Sequence, residues 1–326
     1  MKAAATPVTG KPLSGPRVLI VGNAGQLGRE LERSFAGFGS VIGVNRGTVD
    51  LADAASLRAA VRSAAPDVIL NAAAYTAVDR AESEPELAHA VNAAAPAVLA
   101  EEARAAQALL VHYSTDYVFD GAKREPWSED DPPNPLSVYG ASKLAGEQAI
   151  AAAGGKYLIF RTSWVYGPHG KNFLLTMLRL GRERDKLSIV NDQFGAPTTS
   201  LEVAAATRKI VEKVLNGDQD MPADPPGEWS GIYHMTCAES TSWFGFAQAI
   251  FARAAAKLGA KTPELTPIPS EAYPTPARRP RNSVLSNEKL ARRFGVRLAS
   301  WSAALDAVID ELAWAQGMVQ SQSADS

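Results

Sequence analysis

The sequence predicts an α/β fold in which a doubly wound parallel sheet is followed by a smaller C-terminal domain. Short apolar runs alternate with segments of helical periodicity through the first half of the 326-residue chain, a pattern that favours parallel strands joined by crossover helices. The first run, Arg17–Val21, ends at a glycine-rich turn, as buried parallel strands often do. After about Gly167 this alternation loosens, and proline-rich loops separate short apolar pieces. We therefore expect the second half of the chain to form a different and smaller unit.

Strands and helices are predicted in strict alternation up to residue 160. The first helix has apolar residues at Leu27, Leu31 and Phe35, which is close to helical spacing. Ser56 is the expected N-cap of the second helix. The predicted strands are 17–21, 40–44, 68–70, 109–113 and 157–160, and the predicted helices are 26–38, 56–64, 85–104 and 137–153.

Charge and cysteine content narrow the classes of function. The net charge is −2, so no electrostatic attraction to nucleic acid is expected. The single cysteine, Cys237, excludes a disulfide within the chain and fits a reducing compartment. No charge-free apolar stretch reaches the roughly 20 residues of a membrane span, and residues 1–16 lack the apolar run of a secretory signal. We expect a cytoplasmic protein with neither a membrane nor a nucleic-acid partner.

A glycine-spaced loop joins the first strand to the first helix. Glycine permits a tight turn and lets backbone N–H groups approach a pyrophosphate, while the helix N-terminus adds partial positive charge. This position, after a strand and before a helix, is the context that dinucleotide binding requires, and it makes the fold Rossmann-type. A simple tight strand-to-helix turn is the alternative. The expected cofactor contacts here are Gly22, Asn23, Ala24, Gly25, Gln26, Leu27 and Gly28.

The end of the second strand bears on the choice of dinucleotide. NAD-binding folds usually place an acidic residue there for the ribose hydroxyls, whereas this chain has Arg46. An arginine can pair with a 2′-phosphate, so we expect NADPH to be preferred and NADH also to be accepted. A solvated surface arginine is the alternative. Asp50 and Leu51, shortly downstream, are further candidate cofactor contacts.

A tyrosine and a lysine four residues apart, Tyr139 and Lys143, are the strongest catalytic signal. Residues at this spacing share one helix face. Reduction of a carbonyl needs a proton donor to the oxygen, and a lysine cation beside a phenol would lower the phenol pKa and ready it for proton transfer. The same lysine can hold the nicotinamide ribose. An ordinary surface pair is the alternative.

Thr115 supplies a third expected member of this set. It follows the fourth predicted strand, and ligands bind beyond the carboxyl ends of strands in such sheets. Its hydroxyl could hydrogen-bond the substrate oxygen and polarise the carbonyl.

These residues resemble the extended short-chain dehydrogenase/reductase family and, within it, the dTDP-4-dehydrorhamnose reductases. The similarity extends over about residues 17–315. The resemblance implies that NADPH or NADH reduces the C4 keto group of dTDP-4-dehydro-L-rhamnose, the last step of dTDP-L-rhamnose synthesis. The segments that carry it are 22–28, 71–79, 114–121, 138–143, 161–167, 191–198 and 273–280.

The resemblance also implies roles for individual residues. A bidentate arginine suits a diphosphate on simple chemistry as well. Core packing of Trp164 and a basic surface loop at Arg279 are the alternatives. The implied catalytic residues are Thr115, Tyr139 and Lys143, and the implied contact to the thymidine diphosphate is Arg279. The implied cofactor contacts are Ala72, Ala73, Ala74, Tyr117, Tyr139 and Lys143. The implied sugar contacts are Thr115, Asp116, Tyr139 and Trp164.

The resemblance further bears on metal and assembly. Some members of the family are dimers with a magnesium ion between glutamates, and Glu30 and Glu311 stand near matching positions. The third matching position is Leu201, with Glu202 beside it, a departure that weakens the expectation of Mg²⁺. A monomer or a homodimer is expected.

The domain organisation follows from the loop and the resemblance together. We expect residues 1–16 to be a flexible tail, residues 17–167 to be the NAD(P)-binding core, and residues 168–326 mainly to bind substrate. Within the last of these, about 198–216 is expected to return to the core, and 231–234 reads as a short piece of the second unit.

Two other functions fit parts of the sequence. One is a nucleotide-sugar epimerase or dehydratase of the same superfamily. A dehydratase would want an added acid–base pair next to Thr115, where Asp116 and Tyr117 stand. The other is a non-catalytic regulatory subunit resembling that of methionine adenosyltransferase, against which the intact catalytic set argues.

Overall fold

The computed structural model describes residues 15–217 and 229–324, with side chains up to residue 315. The expected flexible tail lies outside these residues, except for its last two positions. The strands are β1 (Arg17–Val21), β2 (Ser40–Val44), β3 (Val68–Asn71), β4 (Leu109–Thr115), β5 (Lys156–Thr162), β6 (Val165–Tyr166), β7 (Lys186–Val190), β8 (Phe194–Gly195), β9 (Thr198–Thr199), β10 (Gly231–His234), β11 (Thr241–Ser242) and β12 (Glu264–Ile268).

The helices alternate with the strands in the first half and cluster in the second. A π-helical turn, Ala90–Ala94, joins two α-helical segments, and a 3₁₀ turn, Asp116–Val118, follows β4. The α-helices are α1 (Gln26–Phe35), α2 (Ala54–Ala64), α3 (Val78–Ala81), α4 (Pro85–His89), α5 (Ala95–Ala105), α6 (Val138–Ala153), α7 (Phe173–Glu183), α8 (Ser200–Asn216), α9 (Trp243–Leu258), α10 (Glu288–Phe294) and α11 (Trp301–Ala324).

A six-stranded sheet forms the centre of the molecule, in the order β10-β5-β4-β3-β1-β2. Every neighbouring pair in it is parallel. The order of connection reverses between β1 and β3, and ligands of doubly wound sheets bind at the carboxyl ends of strands beside such a reversal. The predicted α/β fold of the Rossmann type is confirmed.

Alternate residues of β1 explain why helices cover both faces of this sheet. Val18 and Ile20 join an apolar cluster with α1 and α8, whereas Leu19 and Val21 join another with α2, α5 and α6. All four side chains are buried. A strand buried on both faces reads as a continuous apolar run, because helices cover each side of a parallel sheet.

Several predicted boundaries differ from the observed ones. The second helix begins at Ala54, and its N-cap is Asp53, whose carboxylate accepts a hydrogen bond from the Ala55 amide. The expected cap at Ser56 is therefore wrong, because a good capping residue lies one turn earlier. β4 continues to Thr115, so Thr115 is the last residue of the strand.

The second half contributes to both units. β10 pairs with the outer side of β5, with Gly231 opposite Leu158, so the segment 231–234 belongs to the central sheet and not to the second unit as expected. α8 packs on α1 at one face of the sheet. Among the described residues, no helix is both long and apolar enough to cross a membrane.

The second unit has an apolar core of its own. It is built mainly from α7, α9 and α11, with Leu174, Phe246 and Leu305 fully buried. Two small sheets, β7 with β12 and β8 with β11, lie in this part of the chain. The unit packs beside the carboxyl ends of the central strands, because Trp243 at the start of α9 lines the same cleft as Thr115.

Candidate active site

A cleft of about 700 Å³ opens at the carboxyl ends of the central strands. It receives side chains and backbone from the glycine loop, from the ends of β3 and β4, from α6 and from the start of the second unit. Of the residues predicted from the sequence, those that line it are Gly22, Ala24, Gly25, Gln26, Leu27, Arg46, Leu51, Ala72, Ala73, Ala74, Thr115, Asp116, Tyr117, Tyr139, Lys143 and Trp164.

The glycine loop has the geometry that a bound pyrophosphate needs. Gly22 has φ of +89°, and a Cβ there would lie 2.8 Å from the backbone nitrogen of Ala73. The N-cap of α1 is Gly25, which provides no side-chain cap, so the first N–H groups of the helix remain available to an anion. These residues fit the phosphates of a dinucleotide.

Three of the predicted cofactor contacts, Asn23, Gly28 and Asp50, lie away from the cleft lining. The Asn23 amide donates to Glu32 at 2.7 Å and accepts from Asn45 at 3.0 Å, which holds the loop against the end of β2. A Cβ on Gly28 would lie 2.1 Å from the carbonyl oxygen of Gly22, so this glycine allows α1 to pack closely on the loop. Asp50 caps a turn by accepting from the Ala52 amide.

Arg46 lies where the main cleft meets a second cavity of about 450 Å³. Its side chain is exposed, so a phosphate group can reach it from solvent. Asp50 and Leu51 also line this second cavity, together with Tyr75 and Arg80. Arg80 is paired with Glu84, so Arg46 is the better placed cation for an incoming phosphate.

Lys143 is the most deeply buried cation of the cleft, at 1% exposure. Its ammonium nitrogen donates to the Tyr113 carbonyl oxygen at 2.6 Å and lies 3.1 Å from Nε2 of His112. An ammonium has three donors, so one remains for a ligand. Burial lowers the pKa of Lys143 to about 8, although the Glu147 carboxylate acts in the opposite direction.

Tyr139 lies half-buried one helical turn before Lys143. Its burial raises the phenol pKa to about 12, and the Thr115 hydroxyl only partly offsets this. The sequence interpretation expected the lysine to lower that pKa. That expectation is wrong, because desolvation dominates and the ammonium is directed to Tyr113 and His112. The phenol therefore holds its proton at neutral pH.

Thr115 and Asp116 form the floor of the cleft beside Tyr139. The Thr115 hydroxyl lies 3.0 Å from an Asp116 carboxylate oxygen and accepts a hydrogen bond from the Tyr117 amide. Burial raises the pKa of Asp116 to about 6, against the opposing effect of hydroxyls on Ser283 and Thr115. The carboxyl is thus a second group that can carry a proton near neutral pH.

Two buried hydroxyls of the cleft have no hydrogen-bond partner among the described residues. They belong to Ser114, next to Thr115, and to Thr162 at the end of β5. Buried polar groups are normally satisfied, and leaving one unpaired costs about 1–3 kcal/mol. Their position in the lining fits a site completed by a polar ligand.

Trp164 forms the wall of the cleft on the side of the second unit. Its ring stacks on Trp243 with centroids 3.5 Å apart, and its backbone has φ of +49°. A left-handed conformation is uncommon for a bulky residue and is retained where surrounding structure enforces it. Gly195 permits this packing, since a Cβ there would lie 2.6 Å from the Trp164 ring. The indole is partly packed and still lines the cleft.

Arg279 lies outside the lining of the cleft, behind Tyr117. Its guanidinium donates to the Asp79 carboxylate at 2.9 Å, and its charge acts on the Tyr117 phenol. A diphosphate that bound Arg279 would compete with Asp79 for it. The alternative of a solvated basic loop is disfavoured, because the side chain is only 24% exposed.

Glu30 and Glu311 lie on either side of an arginine. An Arg33 nitrogen is 3.1 Å from Glu311 and 3.9 Å from Glu30. Burial, followed by the charge of Glu311, raises the pKa of Glu30. Leu201 packs against the apolar core of the second unit, and Glu202 accepts from the Ala299 amide at 3.0 Å. Within the described ranges, no cluster of three His, Cys, Asp or Glu side chains could hold a metal ion.

Sequence reasoning missed three residues that shape this site. Asn92, in the π-helical turn, bonds both backbone groups of Tyr75 and the Ser142 hydroxyl, so it ties the loop after β3 to α6. Trp243 supports Trp164, and His112 contacts Lys143. A polar residue within an apolar run was the available signal for Asn92 and His112.

Comparison with known proteins agrees with this geometry. A family model described as the RmlD substrate binding domain matches residues 16–314. The dTDP-4-dehydrorhamnose reductase of Burkholderia thailandensis is 49% identical over 300 residues, covering 91% of this chain and 99% of that protein. The enzyme of the same name from Escherichia coli K12 is 42% identical over 300 residues, covering 90% and 97%.

Solved structures agree with the sequence relatives. A dTDP-4-dehydrorhamnose reductase from Clostridium acetobutylicum superposes with a TM-score of 0.81 at 37% identity, covering 90% of this chain and 99% of that one. One from Bacillus anthracis, in complex with NADP, superposes with a TM-score of 0.80 at 34% identity, covering 91% and 99%. The resemblance carried by the sequence is confirmed, and the chain belongs to the dTDP-4-dehydrorhamnose reductase family.

Proposed function

We propose that this chain uses NADPH to reduce the C4 keto group of dTDP-4-dehydro-L-rhamnose, giving dTDP-L-rhamnose. The observation that carries the proposal is that a dinucleotide-binding loop and a set of catalytic side chains line the same cleft. The glycine loop with its uncapped helix lies at one end, and Thr115, Tyr139 and Lys143 lie at the other. The family membership supports this reaction over the other reactions of the superfamily.

Each residue of the catalytic set has a separate role in the reaction. NADPH, when bound, supplies the hydride to C4. Tyr139 gives its phenolic proton to the C4 oxygen as negative charge develops there, and its raised pKa keeps that proton in place beforehand. The Thr115 hydroxyl donates a hydrogen bond to the same oxygen. The third donor of Lys143 holds the nicotinamide ribose.

The remaining assignments are part of the same proposal. Arg46 receives the 2′-phosphate of NADPH, and NADH is also accepted because the glycine loop reads only the shared pyrophosphate. Trp164 and Asp116 contact the sugar, and Arg279 exchanges Asp79 for the thymidine diphosphate. Of these substrate contacts, Arg279 comes from the second half of the chain, and the carboxyl ends of the central strands carry the cofactor.

A spectrophotometric assay tests the proposal. The protein, NADPH and dTDP-4-dehydro-L-rhamnose are mixed, NADPH absorbance is followed, and the product is identified by chromatography. We expect stoichiometric NADPH consumption with dTDP-L-rhamnose as product. An epimerase or dehydratase would convert a nucleotide sugar without net NADPH consumption, and a regulatory subunit would do neither. Either result would remove the reductase assignment.

A further inference from the structure

His112 lies at the centre of β4, directly after the apolar residues 109–111. It is 0% exposed on β4, between Val111 and Tyr113. Its Nε2 lies 3.1 Å from the Lys143 ammonium nitrogen, and its Nδ1 lies 3.0 Å from the side-chain amide nitrogen, Nδ2, of Asn71. Asn71 is the residue directly opposite His112 on the neighbouring strand β3. Asn71, His112 and Lys143 therefore form a continuous polar chain across the sheet and onto α6.

The direction of the hydrogen bonds follows from the donors that Lys143 carries. A protonated lysine has three N–H donors and no acceptor, so Nε2 of His112 has to accept. The proton of the neutral ring then sits on Nδ1. Asn71 accepts it once its side-chain amide is turned by 180°, so that Oδ1 takes the position of Nδ2. This arrangement gives the ring proton an acceptor, and it is the one that a charged Lys143 requires.

We propose that His112 is a positioning residue for Lys143: its Nε2 and the Tyr113 carbonyl hold two of the three ammonium donors and aim the third at the cofactor ribose. The proposal rests on the proposed function, since it assigns how the lysine of that reaction is held. Asn71 is the outer support, because it fixes the ring tautomer. It directly precedes the cleft-lining residues Ala72 to Ala74, so lysine and cofactor wall share one support.

Packing alone does not account for a histidine here. A buried imidazole has to be desolvated, and an apolar side chain of similar volume would fill the same space without that cost. If a leucine replaced His112, the buried ammonium of Lys143 would keep only the Tyr113 carbonyl as a hydrogen-bond acceptor. Desolvation would then favour the neutral amine. The imidazole supplies the second acceptor that keeps the ammonium charged.

The charged groups around Lys143 are consistent with a neutral imidazole. Burial, and then the charge of Lys143, keep the pKa of His112 well below its usual value, so the ring remains an acceptor at neutral pH. Along α6, Glu147 raises the pKa of Lys143, and Arg161 of β5 binds that carboxylate at 2.6 Å. Asp116, in the 3₁₀ turn after β4, acts on Tyr139.

Three variants at this position separate positioning from packing. His112→Leu removes both ring nitrogens. His112→Gln keeps a polar acceptor at about the place of Nε2, within reach of Lys143. His112→Asn keeps one only at about the place of Nδ1, where it meets Asn71. For each variant, kcat/KM and the NADPH affinity, followed by fluorescence without sugar, are measured across the neutral and alkaline range, and circular dichroism checks the fold.

In His112→Leu we expect the alkaline limb of both profiles to move to lower pH by about one to two pH units. A shift of this size corresponds to the loss of one hydrogen bond to a charged group. The sign follows because the acceptor stabilises the ammonium, so removing it lowers the lysine pKa. His112→Gln should return the limb close to that of the unchanged protein, and His112→Asn should behave like the leucine variant.

Unshifted pH profiles in the leucine and asparagine variants would overturn the proposal, whatever their turnover. So would equal shifts in the glutamine and asparagine variants. If the leucine variant does not fold, the glutamine–asparagine comparison decides the question alone, because both side chains are polar and similar in size. The fluorescence titration needs no sugar, so its result stands apart from that of the proposed function, which fails if the unchanged protein does not consume NADPH with the dTDP-sugar.

Discussion

Tyr139→Phe removes a single oxygen atom from the cleft and keeps the ring, which packs edge-on against Tyr117 with centroids 5.6 Å apart. General acid catalysis is typically worth roughly 10²- to 10⁴-fold, so we expect turnover to fall by about that factor. NADPH binding, measured by fluorescence, should barely change. Near-normal turnover would mean that the proton comes from Asp116 or from water, and the mechanism assigned to Tyr139 would be wrong.

Lys143→Ala is the matched comparison for that variant, because the lysine has two roles. We expect lower turnover together with weaker NADPH binding, since the donor to the ribose is lost. The double variant should lose much less than the product of the two single losses, because groups that act as one unit are not additive. Full multiplicative losses would show that the two side chains act independently.

Arg46→Ala tests how the chain distinguishes its dinucleotides. The residue is exposed at the junction of the two cavities, and its proposed partner is present in NADPH and absent from NADH. We expect the KM for NADPH to rise and that for NADH to stay nearly unchanged. Arg80→Ala is the control within the same cavity, since Arg80 is already paired with Glu84 and its loss should affect NADPH less. An equal effect of Arg46→Ala on both cofactors would contradict the assignment.

At the scale of an element, the loop between β1 and α1 depends on how closely it approaches β3. Gly22→Ala would combine backbone strain, worth about 1–3 kcal/mol, with a clash against Ala73 at 2.8 Å. Gly37→Ala is a matched control, because Gly37 has φ of +77° and nothing within 4 Å of its added Cβ. We expect both variants to lower the melting temperature and only Gly22→Ala to weaken NADPH binding strongly. Equal binding losses would argue against the close approach.

The segment 85–104 shows what periodicity reveals about an element and what it misses. Its alanine-rich pattern correctly predicts a helical segment, but not the π-helical turn Ala90–Ala94 within it. That turn places Asn92 against Tyr75 and Ser142. The extra residue in the turn is favoured by these tertiary hydrogen bonds, which no local pattern records.

At the scale of the whole molecule, the sequence predicted the sheet and most of the cleft because these depend on local patterns. Apolar runs marked β1 to β5, and the motif residues Thr115, Tyr139 and Lys143 came together as expected. The edge strand β10, Gly231–His234, was expected in the wrong unit, because a run of four residues does not indicate which strand it pairs with. His112 was missed for a similar reason, since its significance lies in contacts with Lys143 and Asn71 that are distant along the chain.

Magnesium removal tests the molecule as a whole. Hydride transfer needs no Lewis acid when Tyr139 supplies the proton, and Arg33 already pairs with Glu30 and Glu311. We expect turnover to remain largely intact after treatment with EDTA. The control is the same preparation with magnesium restored, and a complete loss that magnesium reverses would contradict the expectation.

The position of β10 at the edge of the sheet has a consequence for biosynthesis. The ribosome releases β5 well before Gly231 is made, and until then the outer side of β5 has no strand to pair with. An unpaired edge is a template for association with other chains. A polypeptide that ended after α8 should therefore aggregate even though it contains the entire glycine loop and catalytic set. In the cell, the nascent chain would benefit from a chaperone during that interval of its synthesis.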